Sequence, residues 1–123
     1  MFWQPKEWRH SRHKGQHYER LAQDYLVTQG LTPVTTNYHC RYGEVDLIMK
    51  DGATWVFVEV KFRKHGSFGG ALWALTPKKQ GRLRKTIAHY VQKHDLMHCT
   101  LRADYVAIDG QQDTQFHWIK NVL

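Results

Sequence analysis

Between residues 16 and 29 the apolar side chains Tyr18, Leu21, Ala22, Tyr25 and Leu26 recur three and four positions apart, the spacing that lines one face of a helix. Gly30 follows as a natural stop. The period then shortens to two. A strand is predicted over residues 34–40, with Pro33 at its start where a missing N–H is tolerated. Two more flank Asp51-Gly52, a strong hairpin signal because a two-residue type I′ turn needs positive φ at both central positions. Helical spacing returns with Leu83, Ile87, Tyr90 and Val91, behind an N-cap signal at Thr76 and a proline, Pro77, at the first helical position. Residues 100–109 and 115–119 read as two closing strands around Gly110. Ahead of all this, residues 1–14 show no clear period and mix Lys6, Arg9, Arg12 and Lys14 with Phe2, Trp3 and Trp8. They read as a basic aromatic tail on a single domain spanning residues 15–123, either docking its tryptophans on that domain or lying along a nucleic-acid backbone.

The hairpin carries charge where buried strand is expected. A turn at Asp51-Gly52 pairs Lys50 with Ala53, which sets Glu44 opposite Glu59 and Asp46 opposite Phe57. Paired residues share a face, so Glu44, Asp46, Glu59 and Lys61 point the same way, at one end of a face that also carries Ile48, Trp55 and Phe57. Val45, Leu47, Met49, Val56, Val58 and Val60 are left on the other face as an unbroken apolar surface that must pack on a helix layer. Like charges opposite one another destabilise a sheet, and a buried carboxylate must be compensated or take up a proton. Two compensating cations come into question, Lys61 or a divalent metal held by oxygen ligands. The plainer alternative is an exposed hairpin end with solvated acids bridged to Lys61.

Composition narrows the setting. With 123 residues and 41% hydrophobic content the chain can bury one core. No apolar run approaches the roughly 18 residues that span a bilayer, so no membrane role is expected. The N-terminus lacks the apolar core of a signal peptide, and Cys40 and Cys99 form neither a disulfide framework nor a zinc-ligand spacing, which suits a cytoplasmic protein with reduced thiols. A net charge of +7 points to an anionic partner, most commonly nucleic acid. On the second helix Lys78, Arg82, Lys85, His89 and Lys93 form a basic stripe. Lys78 and Lys79 fall in its first turn, where the helix dipole disfavours cations unless an anion binds. Gln80 lies on the apolar stripe and needs a hydrogen-bond partner there. Arg63 and Lys64 open a glycine-rich basic stretch running to Gly70 that could clamp a substrate backbone or simply join strand to helix. His13 and His17 have the i, i+4 spacing of a helical metal pair.

An acid on one strand followed about a dozen residues later by Glu-x-Lys resembles the signature of the PD-(D/E)xK nucleases, which include restriction endonucleases and Holliday junction resolvases. The wider context is more specific. Asn37, Arg41, the run from Gly43 to Ile48, Asp51-Gly52, the run from Val56 to Lys61, Thr76 with Lys78 and Lys79, and Arg102-x-Asp104 followed by Val106 together resemble the YraN-type family of small bacterial proteins. The resemblance spans residues 15–109 and implies a single α/β domain of order α-β-β-β-α-β, a restriction-endonuclease-like, resolvase-like core with a helix on each face of a central mixed sheet.

The resemblance further implies metal-dependent cleavage of phosphodiester bonds, in DNA ahead of RNA. Asp46, Glu59 and the Val60 carbonyl would ligate Mg²⁺ or Mn²⁺, Lys61 would orient the attacking water or steady the transition state, and Glu44 would lie just behind or hold a second metal. Glu19, from the first helix, and Gln80 would complete the pocket. Family members commonly carry a small residue before that glutamate, where this chain has Tyr18. Asp104 is expected to pair with Arg41 or Arg102 rather than to act in catalysis. Lys78, Lys79, Arg82, Lys85, Arg63 and Lys64 are the candidate nucleic-acid contacts. Junction resolution would need two active sites and hence a homodimer. The competing readings are a nucleic-acid-binding module with silent acids and a protein scaffold whose charge serves solubility.

Overall fold

The computed structural model describes residues 6–63, 75–110 and 114–123, with side chains from Gly15 onward. Chain order is α1 (Lys6–Thr28), β1 (Thr32–Cys40), β2 (Gly43–Asp51), β3 (Thr54–Arg63), α2 (Pro77–Lys93), β4 (Leu101–Asp109) and β5 (Gln115–Ile119). The five strands form one sheet in the order β1-β2-β3-β4-β5, antiparallel except where β3 and β4 run parallel. A parallel neighbour requires a crossover, and α2 provides it on one face while α1 packs on the other. The α-β-β-β-α-β order and mixed sheet are those of the resolvase-like architecture, with β5 added antiparallel at the edge.

Both helices follow their sequence signals. On α1, Ala22 and Leu26 are fully buried against Leu47, Met49, Val56, Val58, Val106 and Ile108, and Gly30 ends the turn after the helix at φ +101°. The helix starts earlier than expected: most of the segment read as a tail continues it back to Lys6. Residues 6–14 lack an apolar stripe but contain neither Pro nor Gly, and adding residues to a formed helix is easy once its nucleus is held by packing. At α2, Thr76 caps the helix by accepting the Lys79 N–H at 3.3 Å, and Leu83, Ile87, Tyr90 and Val91 cover Val45, Ile48, Phe57 and Ala103.

The hairpin register differs from the expected one. Asp51 pairs with Thr54 and Lys50 with Trp55, so Gly52-Ala53 is the turn. Gly52 takes φ +61° while Ala53 does not enter the positive-φ region, the pattern of a II′-type turn in which only the first central residue needs it. Asp51 thereby avoids the left-handed region and meets Arg102 at 3.1 Å. The slide of two residues preserves the side-chain faces but changes partners. Pairing ends at Leu47 and Val58, and counting on from there brings Asp46 level with Glu59 instead of Phe57.

Past that point β2 and β3 part. In place of a ladder bond, the Val60 N–H donates to Asp46 Oδ2 at 2.9 Å. On the other side of β2, Asn37 of β1 adopts φ +54° between the paired residues Thr36 and Tyr38. The alternation breaks here. Val45 packs with α2, whereas Leu47 packs with α1, so the expected unbroken apolar face loses Val45 to the opposite side. Gly43 lets α2 approach this end closely: its φ is +149°, and a Cβ there would lie 3.3 Å from Thr86 Oγ1.

Asp104 anchors a different part of the sheet. Its fully buried carboxylate accepts Arg102 Nε at 2.9 Å and Nη2 at 3.0 Å, Trp118 Nε1 at 2.9 Å and the Asn121 N–H at 3.0 Å. Of the two expected partners Arg102 is the real one; Arg41 instead donates to the Tyr42 hydroxyl at 2.7 Å.

Candidate active site

The gap between β2 and β3 opens into two clefts. One, of about 580 Å³, lies towards α2 and is lined by Glu44, Asp46, Glu59, Val60 and Lys61 from the two strands and by Lys79, Arg82 and Leu83 from the helix. His39, Cys40, Gly43, Leu75 and Tyr105 complete its wall. The other, of about 430 Å³, lies towards α1 and is lined by Gly15, Tyr18, Glu19, Asp46, Val60, Lys61 and Phe62. Asp46, Val60 and Lys61 border both.

Three carboxyl groups meet across that boundary. Burial, together with neighbouring Asp46, pushes Glu19 up to about 8 and Glu59 to about 9. Burial also raises Asp46, to about 6, with the Val60 N–H, a proton shared from Glu19 and the charge of Lys61 holding it lower than its neighbours. With no cation present, burial favours the protonated forms of Glu19 and Glu59 over that of Asp46, the least raised of the three. The Asn37 amide donates to Glu19, and the Asp46 N–H donates to Glu59. Even so, Glu19 Oε1 and Glu59 Oε1 are buried without a hydrogen-bond partner. Native structures seldom leave such atoms unsatisfied, and an ion is one of the recognised reasons. The three carboxyl groups of the cluster offer oxygen donors, the kind that a hard divalent cation takes. Among the described residues, though, no group of three or more His, Cys, Asp or Glu side chains is closed up enough to hold a metal as it stands.

The remaining sequence candidates divide. Glu44 sits at the exposed rim, 3.2 Å from His39 Nδ1, and its charge is felt by all three acids. Lys79 and Arg82 line the larger cleft, while Lys78 and Lys85 are exposed elsewhere on α2. His89, part of the expected basic stripe, is bound through Nδ1 to the Tyr38 hydroxyl. Gln80 does not line either cleft: its amide donates to the Leu75 carbonyl at 3.0 Å and so holds one wall of the larger one. Arg63 is exposed at the end of β3, and its charge reaches Tyr105. Lys64 and the glycine-rich stretch after it lie outside the described residues, as does the side chain of His13.

Tyr105 was not singled out in the sequence. It pairs with Glu59 across the parallel β3–β4 ladder, and burial raises its hydroxyl to about 12. Nothing local to residue 105 reveals that neighbour. Asn37 had a signal, an Asn amid strand-forming residues, since Asn is the non-glycine residue that tolerates the left-handed region best.

A family profile described as "Uncharacterised protein family UPF0102" matches residues 18–108, a span that contains Glu19, Asp46, Glu59, Lys61 and Arg82. The chain is 53% identical over 123 residues to a UPF0102 protein of Pseudoalteromonas translucida, covering 100% of both chains. It is 46% identical over 112 residues to one of Shewanella woodyi, covering 91% of this chain and 92% of the relative. To one of Neisseria gonorrhoeae it is 41% identical over 104 residues, covering 85% and 89%. No helix among the described residues is long and apolar enough to cross a membrane.

Proposed function

The chain belongs to the UPF0102 family, and we propose that it is a metal-dependent nuclease that hydrolyses phosphodiester bonds in DNA, with branched and damaged DNA the substrates to try first. The observation that carries this reading is the cluster of Glu19, Asp46 and Glu59 where β2 and β3 part, with two orphaned buried oxygens, beside a cleft lined by Lys61, Lys79 and Arg82. Acids that bind a cation and bases that bind phosphate are set side by side.

The donor set fits Mg²⁺ or Mn²⁺, for which Asp46, Glu59, the Val60 carbonyl and Glu19 would be the ligands. When bound, such an ion activates a water and offsets charge on the scissile phosphate. The chain's own groups do the rest. Lys61, on the border of both clefts, steadies the negative charge that grows on the phosphate during attack. Lys79 and Arg82 hold flanking phosphates, and Gln80 keeps the Leu75 segment against the cleft. Glu44 adds negative charge at the rim that favours cation entry. Lys78, Lys85 and Arg63 would extend the contact to phosphates further along.

One observation favours the second reading, a binding module of the same fold without catalysis: the acids have not converged into a group that could hold a metal as it stands. Calorimetric titration of Mn²⁺ into wild type, Asp46→Ala and Glu59→Ala separates the two. Saturable binding lost in both variants, followed by metal-dependent cleavage of DNA by wild type alone, supports the nuclease. No Mn²⁺ binding with or without a non-cleavable duplex, alongside salt-sensitive DNA binding, leaves the binding module.

A further inference from the structure

The two clefts beside the acid cluster differ in what they can receive. Towards α2 the described lining sets three cations, Lys61, Lys79 and Arg82, beside Glu44, Asp46 and Glu59, so phosphates have partners on that side. Towards α1 the described lining holds Lys61 as its cation, two carboxyl groups and two aromatic rings. Those rings, Tyr18 and Phe62, stack with centroids 3.7 Å apart and planes 9° from parallel. Phe62 is backed by Gly110, where a Cβ would come within 2.6 Å of its Cε1, so the ring pair is set firmly. An aromatic wall suits a nucleobase face, and apart from Lys61 the described lining here offers no cation to hold a phosphate.

From this we infer that the α1-side cleft is a base site: the strand passes over Asp46 and Lys61, with its phosphates held towards α2 and one unpaired base resting against the Tyr18–Phe62 stack. The inference rests on the nuclease reading and gives it a substrate class, DNA with an unpaired or extrudable nucleotide beside the scissile phosphate. A base held in a regular duplex cannot enter such a cleft without leaving its stack.

The test is equilibrium binding, by fluorescence anisotropy with Mg²⁺ present, of non-cleavable phosphorothioate oligonucleotides: a single strand and a blunt duplex of equal length. Wild type and Tyr18→Phe should both prefer the single strand. Tyr18→Leu, which keeps an apolar side chain but removes the ring, should lose about five- to hundredfold in affinity for the single strand, the range for one base stacked on an aromatic, with duplex affinity unchanged. Lys79→Ala should weaken both forms alike. If Tyr18→Leu, melting as wild type does, leaves single-strand affinity unchanged or weakens both forms equally, the base site is overturned while cleavage of ordinary phosphodiester DNA still upholds the nuclease. If wild type binds neither form and cuts no DNA, both fail together.

Discussion

Replacing Glu59 with Gln should make the metal-free protein more stable, and more so as the pH rises. The Glu59 carboxyl is raised from an ordinary 4.5 to about 9, chiefly by burial and then by Asp46. Between those values the folded chain holds a proton that the unfolded chain has released. The sign follows: stability is fully present below about 4.5 and is lost as pH rises through about 9. At pH 8 the group forgoes ionisation over about 3.5 pH units, an upper limit of ~5 kcal/mol at ~1.4 kcal/mol per unit. Water reaches part of the side chain and screens it, so about 2 kcal/mol is the working figure. For a domain of this size that is about 8 °C in Tm. Thermal melts in EDTA across pH 5 to 9 are the assay. Wild type should lose Tm steadily, Glu59→Gln should remove the largest share of that slope, and Glu19→Gln a smaller share. Saturating Mn²⁺ should restore wild type at pH 8 and do little for Glu59→Gln. Parallel pH slopes for wild type and Glu59→Gln would refute the argument that this carboxyl is held protonated by its surroundings.

Elsewhere the consequences are simpler. Asp104→Ala, which strands Arg102 and the Trp118 and Asn121 N–H groups, should lower unfolding free energy by about 3 to 5 kcal/mol in urea titrations, while any DNA cleavage per folded molecule stays unchanged. Gly43→Ala combines a left-handed φ with a crowded approach to Thr86 and should destabilise by about 1 to 3 kcal/mol; because Gly43 starts the strand that carries Asp46, Mn²⁺ affinity measured by calorimetry should fall with it. Lys79→Ala and Arg82→Ala should each weaken DNA binding for all sequences and reduce the slope of log affinity against log salt by about 1.

What could be read from the chain was what depends on near neighbours. The stripe of Leu83, Ile87, Tyr90 and Val91, the cap at Thr76, and the stop at Gly30 all follow from residues within a turn or two of one another, and all hold in the fold. The faces of Glu59, Lys61, Phe57 and Ile48 also survived, because an error of two residues in register leaves the parity of a strand intact. Which two residues made the turn was not legible, since Asp51-Gly52 and Gly52-Ala53 both place Gly52 where positive φ is needed and the choice was settled by Arg102, fifty-one residues away from Asp51. Val45 was misplaced because a hydrophobic pattern does not mark where alternation breaks within β2, opposite the left-handed Asn37 of β1. Tyr105 stayed hidden because its link to Glu59 exists only once α2 has carried the chain across to a parallel strand.

These misreadings fall close to the acids, and there is a physical reason for that. A regular β2–β3 ladder carried past Leu47 and Val58 would turn the Asp46 carboxylate away from the backbone and give the Val60 N–H an ordinary carbonyl partner. The early end of the ladder instead puts Asp46 Oδ2 on that N–H, level with Glu59, while left-handed Asn37 brings its amide to Glu19 from the far side of β2. Both departures forfeit regular backbone pairing, and both serve to hold carboxyl groups where burial opposes their ionisation. A chain selected for stability alone would fill that gap with apolar residues, as it does a few positions further along the same hairpin with Met49 and Val56. On the proposed nuclease reading, the unfavourable energy retained at Glu19 and Glu59 is what a bound cation would release, and the pH dependence of metal-free stability would report it.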